Sequence, residues 1–172
     1  MVQADLFSPC LAAAGLHPDR VIFAAAGKEV LATMEEGLRH PGLAAVVGDV
    51  TGRFDLTASR RLQLAAEQTG VLAIALRRSR QFDDPALREP TAAMTRWIVT
   101  ALPSPPALPH APLVPGLGPA RWRLALTRCR GGQPHEWITE ACDATGHLRL
   151  VSDLADGPAA ATGPPDARRS AA

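Results

Sequence analysis

The chain has 172 residues, 47% of them hydrophobic and 20% charged, with a net charge of +1. That balance excludes a wholly disordered chain and is enough for one folded domain with a buried core. Three widely spaced cysteines, Cys10, Cys129 and Cys142, exclude a disulfide framework and fit a reducing compartment, so a cytoplasmic location is expected.

Charge is uneven along the chain. Residues 1–59 carry four basic and seven acidic side chains, residues 60–130 carry 11 and four, and residues 131–172 carry three and six. A basic middle can face nucleic acid or an acidic partner, or its arginines can pair with nearby carboxylates. The segment from Met1 to Gly15 has no basic n-region, and no signal peptide is expected. Trp97 to Ala120 is long and has no Asp, Glu, Lys or Arg, but its seven prolines make a membrane-spanning helix untenable.

After a lead-in over residues 1–20, the apolar run Val21-Ile22-Phe23-Ala24-Ala25 predicts a buried strand ended by Gly27. The period then changes. Val30, Leu31, Met34 and Leu38 fall on one helical face over residues 28–39, and Pro41-Gly42 stops the helix. Leu43 to Gly48 reads as a second buried strand ending at Asp49. Asp55 or Thr57 can cap a helix running to about Thr69, with Leu62, Ala65 and Ala66 inward and Gly70 ending it. Val71 to Leu76 is the third apolar run, so the first half predicts two crossover units of a parallel sheet.

The second half has a different rhythm. Thr95 to Thr100 is strand-like, and the proline-rich stretch from Leu102 to Ala120 cannot be regular structure. From Arg121 to Arg130 the residues alternate, with Trp122, Leu124 and Leu126 on one side and Arg121, Arg123 and Ala125 on the other. After a turn at Gly131-Gly132-Gln133-Pro134, His135 to Cys142 and Leu148 to Val151 predict further strands. These read as antiparallel hairpins added to the sheet edge. The expected organisation is one α/β domain over residues 1–154 and a disordered tail over 155–172.

Tests for catalytic motifs mostly return ordinary structure. Phe23 to Glu29 resembles a Walker A loop, but Ile22 stands at its first glycine position and Glu29 at its hydroxyl position. Without that glycine the backbone cannot cradle phosphates, and Glu29 would put negative charge where Mg²⁺ and phosphate must sit. Val46-Val47-Gly48-Asp49 has the form of a Walker B strand end, with no phosphate loop to serve. Cys129, His135, Cys142 and His147 are spaced six, seven and five apart, which matches no zinc pattern. There is no Gly-x-Ser-x-Gly elbow. The reading is therefore a protein that is not an enzyme, with no cofactor or metal.

Two features could carry binding. Trp97, Trp122 and Trp137 each sit in a predicted strand, and either pack a small sheet or stack single-stranded nucleic acid beside arginine. Arg60 and Arg61 lie near the start of a helix, and Arg77, Arg78 and Arg80 follow a parallel strand. Helices of parallel units start where strands finish, so both clusters are expected at the carboxyl end of the sheet, where ligands tend to bind. They form the candidate patch for a partner or DNA.

The order of several segments also resembles a known family. These are Glu35-Glu36-Gly37-Leu38-Arg39, Val46-Val47-Gly48-Asp49, Ser59-Arg60-Arg61-Leu62-Gln63-Leu64-Ala65-Ala66-Glu67, Thr95-Arg96-Trp97, Trp122-Arg123-Leu124, and Arg128-Cys129-Arg130-Gly131-Gly132 with Trp137. Over about residues 6 to 151 they resemble the ImuA family of inducible mutagenesis, which is distantly similar to the cell-division inhibitor SulA. The resemblance implies an incomplete RecA-like parallel sheet that lacks the N-terminal Walker A region and is extended by C-terminal antiparallel strands. It implies a non-enzymatic accessory role in SOS-induced translesion synthesis, with an ImuB-like Y-family polymerase homologue and an error-prone polymerase as partners, and with single-stranded DNA as a further candidate. A SulA-like inhibitor that binds a division protein is the alternative.

Overall fold

The computed structural model describes residues 11–12, 15–79, 84–141 and 147–151. The predicted tail over 155–172 and Arg80 lie outside the described residues. Two compact units emerge. One is built from the chain up to Trp97 together with Leu126–Pro134, and the other from Ile98–Ala125 and the chain from His135 on.

In the first unit the chain enters helix α1 (Val30–Leu38) through a tight 3-10 turn over Gly27–Glu29. Strand β1 (Ala45–Asp49), helix α2 (Leu56–Thr69) and strand β2 (Leu72–Leu76) follow. β1 and β2 pair in parallel, with Ala45 opposite Leu72 and Asp49 opposite Leu76. The local signals explain the bounds of α2. The Asp55 carboxylate accepts from the Ala58 N–H at 2.9 Å, and Gly70 closes the helix at φ 78, a left-handed conformation that costs glycine little. The Thr69 hydroxyl donates to the Leu38 carbonyl at 2.7 Å, which satisfies a terminal carbonyl of α1 from the end of α2.

One cluster forms the core of this unit: Met34 and Leu38 from α1, Leu62 and Ala65 from α2, with Val50, Phe54 and Val71. Leu38 has no exposed surface, and burying a side chain of that size is worth about 1.5–3 kcal/mol. The sheet face under the helices is made of small residues. Ala73 and Ala75 pack against the cluster, and a Cβ added at Gly48 would fall on the Met34 sulfur. Close approach of α1 to β1 therefore depends on Gly48.

Two expectations are corrected here. Val21 to Ala25 forms no strand: the segment is irregular, with Ile22 84% and Phe23 49% exposed. The described parallel sheet accordingly has two strands and one crossover rather than three strands and two. The antiparallel strands also do not extend its edge. β3 (Thr95–Leu102), β4 (Arg121–Cys129), β5 (His135–Ala141) and β6 (Leu148–Leu150) form a sheet of their own in that order. The fold class remains mixed α/β, and the proline-rich stretch between β3 and β4 is irregular as its composition requires.

Candidate functional site

The carboxyl ends of β1 and β2 carry a shallow depression of about 400 Å³, lined in part by Val50, Gly52, Arg53, Arg77, Arg78 and Asp84. The β1–α2 connection and the end of β2 place these groups together. Arg77 Nη2 donates to the Gly52 carbonyl at 3.1 Å, and Arg78 Nε lies 3.1 Å from Asp49 Oδ2. Arg53 Nε lies 3.4 Å from Asp55 Oδ2, and the Ser79 hydroxyl is 2.9 Å from Asp84 Oδ2. Guanidinium groups thus alternate with carboxylates around the rim, which can orient a polar or charged segment but is not a concentrated positive field.

Arg77 and Arg78 meet Arg53 at this rim. Arg60 and Arg61 make their contacts elsewhere: Arg60 Nη1 donates to Gln63 Oε1 at 2.8 Å, and Arg61 pairs with Glu35 across the two helices. Glu35 also binds Arg39 at 2.6 Å, one turn along α1. Helix spacing explains this placement. Arg60 and Arg61 lie one turn beyond the first residue of α2, so they point along the helix pair rather than out of its start.

Several residues of the resembling segments hold the fold together. Ser59 is buried, donates to the carbonyls of its own helix and accepts the Ala92 N–H at 2.9 Å. Arg96 Nη2 donates to the Glu89 carbonyl at 2.7 Å, and Arg128 Nη1 to the Thr91 carbonyl at 2.6 Å. Helix α2, β3 and β4 therefore converge on residues 89–92, and backbone groups that would be orphaned find partners there. The sequence gives these arginines as charge, whereas the structure uses their geometry.

The other tested motifs resolve as follows. Lys28 and Glu29, at the Walker-like positions, are exposed on the turn into α1. Trp97 is 48% exposed, while Trp122 and Trp137 are half-buried, and His135 packs edge-on against Trp137 at 4.5 Å. Cys129 is a half-buried free thiol, and Cys142 lies outside the described residues. Among the described residues no three His, Cys, Asp or Glu side chains gather as a metal site would require, and no helix is long and apolar enough to cross a membrane.

In the second unit Glu140 is 5% exposed and lies between Arg149, at 2.6 Å, and Arg121, at 3.4 Å. The Arg149 hydrogen bond, reinforced by the charges of both arginines against the opposing cost of burial, holds the Glu140 carboxyl below the ordinary glutamate range. The Nε atoms of Arg121 and Arg123 are both buried, and that of Arg121 is the atom that faces Glu140. The alternation in β4 therefore does not divide a buried side from a solvated one.

A feature the sequence reading missed is the other face of the parallel sheet. Val47, Leu72, Ile74 and Leu76 lie opposite the helices and are 56%, 58%, 38% and 44% exposed. The continuous apolar runs of both strands were the available signal, since such runs require cover on both faces.

No protein-family model matches the chain, and no solved structure does. Among curated proteins, Protein ImuA from two strains of Caulobacter vibrioides, NA1000 and CB 15, is 42% identical over 169 residues. The match covers 92% of this chain and 67% of the relative. Identity of that level along nearly the whole chain includes both units, and it shows that the chain belongs to the ImuA family.

Proposed function

We propose that this protein is a non-enzymatic accessory factor of damage-induced mutagenesis, acting in SOS translesion synthesis through protein partners in the cytoplasm. The observation that carries this reading is the 42% identity with Protein ImuA across 92% of the chain. An ImuB-like Y-family polymerase homologue and an error-prone polymerase are the partners it proposes. The parallel β1–α2–β2 crossover with α1 on the same side is compatible with a RecA-like core. The rim at the carboxyl ends of the strands, with Arg77 and Arg78, is the proposed contact for an acidic partner segment. Single-stranded DNA is the less favoured ligand, because carboxylates interleave with the rim arginines and would repel phosphates.

The experiment is charge reversal of Arg60, Arg61, Arg77 and Arg78 to Glu, with a second variant limited to Arg77 and Arg78. Each is assayed for binding to the ImuB-like protein and to single-stranded DNA over a salt series, with folding followed by circular dichroism. The reading expects the Arg77/Arg78 variant to lose partner binding while folded, with negligible DNA affinity in either form. Wild-type partner affinity in that folded variant removes the rim as the contact. Tight DNA binding that weakens steeply with salt moves the assignment to nucleic acid.

A further inference from the structure

We infer that the loop between β3 and β4, residues 103–120, is a docking element whose Leu113 and Leu117 enter an apolar groove of a protein partner and, resting on the function proposed above, that this partner is the ImuB-like protein. At 95% and 91% exposure these leucines are the two most open large apolar side chains among the described residues. Leu108 and Val114, in the same loop, are exposed as well. One exposed leucine is ordinary, but several in one loop mark a surface that finds cover.

The loop is built rather than slack. Pro109 and Pro112 each take the second position of a hydrogen-bonded turn. The Ala111 N–H donates to the Leu108 carbonyl, and the Val114 N–H donates to the Ala111 carbonyl, both at 3.0 Å. The fixed φ of proline suits that position and lowers the entropy lost on ordering the turn. The Gly118 N–H donates to the Pro105 carbonyl at 3.1 Å and closes the base of the loop. The two legs touch there. A Cβ added at Gly116 would lie 2.8 Å from the Ala107 Cβ, and one added at Gly118 would fall on the Pro105 carbonyl oxygen. Leu113 is the third residue of the second turn, and Leu117 lies between the two close-packed glycines. A partner therefore meets both leucines on backbone that is already ordered, which reduces the cost of binding.

Composition selects the partner. Residues 103–120 contain no Asp, Glu, Lys or Arg, and no Phe, Tyr or Trp. Without a cation the loop has nothing to hold phosphate, which sets nucleic acid aside. Anionic lipid is not attracted for the same reason, and the loop has no aromatic ring to seat in a membrane interface. An apolar groove on a folded protein remains, recognised by shape. The rim with Arg77 and Arg78 is a contact of the opposite character. Fixed charges set register and partner choice, and an apolar anchor supplies affinity.

Calorimetry of the full chain with the ImuB-like protein, at low and at high salt, tests the loop. Leu113→Ser/Leu117→Ser is expected to keep the wild-type circular dichroism and urea midpoint, because both side chains are exposed. Its affinity should fall at least about 10-fold, by the same factor at both salt concentrations. The loss in Arg77→Glu/Arg78→Glu should instead shrink as salt rises. If the wild-type chain does not bind the ImuB-like protein, the functional reading fails and the loop falls with it. If the wild type binds and the folded leucine variant binds equally well, the loop alone is overturned. The loop as a contact for this partner is also overturned if Leu113 and Leu117 drive binding to phosphatidylglycerol vesicles, which assigns it to lipid. Association of the isolated chain that rises with concentration and is lost in the leucine variant overturns it too, by assigning the loop to a second copy.

Discussion

Replacing Ser59 with Ala tests whether residues 89–92 are anchored to α2 as the hydrogen bonds imply. Ser59 is 4% exposed, and its hydroxyl accepts the Ala92 N–H at 2.9 Å while donating within its own helix. Removing the hydroxyl leaves that N–H without an acceptor, at a cost of about 1–3 kcal/mol. Alanine is the better helix former, which returns about 0.5 kcal/mol. The two lost carbonyl contacts within the helix are nearly neutral, since those carbonyls keep their helical partners. The net expectation is a loss of about 1–2 kcal/mol, and at about 2–4 °C per kcal/mol for a chain of this size the melting temperature should fall by about 2–8 °C. Urea unfolding with linear extrapolation reads the change, and Thr57→Ala, exposed two residues earlier, is the control expected to stay within about 0.5 kcal/mol. An unchanged or raised midpoint for Ser59→Ala would refute the reasoning, because it would mean the Ala92 N–H is satisfied without the hydroxyl.

Gly48→Ala should cost about 1–3 kcal/mol in urea unfolding, because the new Cβ would meet the Met34 side chain in a packed core. Gly37→Ala should cost much less or stabilise, since its Cβ would lie 3.2 Å from a Val46 methyl that can shift and alanine favours the helix by about 1 kcal/mol. Glu140→Gln should be less stable than the wild type at neutral pH. The folded carboxyl titrates below its unfolded value, so its contribution is present above the ordinary glutamate range and disappears as pH falls through the folded value; unfolding measured from pH 7 down to pH 3 should show the two proteins converging. Trp122→Ala should destabilise by about 1.5–3 kcal/mol, below the range for a fully buried ring, and Trp97→Ala by less than about 1 kcal/mol.

Local chemistry was the most legible part of the chain. Asp55 and Gly70 bound α2 through a cap and a left-handed turn, both of which depend on single residue types. Met34 and Leu38 were readable as core because helical period alone puts them on one face. Val21 to Ala25 misled because an apolar run reports a demand for burial and does not say which neighbour meets it. The same gap hid the bare face of Val47, Leu72 and Ile74. The roles of Arg96 and Arg128 were not legible for a different reason: their targets are backbone carbonyls at residues 89 and 91, and no side-chain pattern announces a carbonyl. Of the candidate patch, Arg77 and Arg78 could be placed from topology. Arg60 and Arg61 could not, because their partners depend on how α1 and α2 pack.

That packing also sets arginines from the basic middle of the chain against carboxylates from its flanks. Arg61, Arg78 and Arg121 all belong to the arginine-rich stretch, but their carboxylate partners come from the acidic stretches on either side. Arg61 pairs with Glu35, Arg78 with Asp49, and Arg121 with Glu140. Charge that is separated along the sequence is thus brought into opposition by folding, and the fields cancel over distances shorter than the Debye length of about 8 Å at physiological salt. A surface that binds phosphates along a strand needs cations that remain uncompensated over several such lengths. Guanidinium groups held at fixed positions among carboxylates favour a different use, in which geometry and register select one acidic segment of a folded partner. Under the proposed function, that cancellation would be a source of specificity, because it weakens nucleic acid as a competing ligand more than an acidic protein segment.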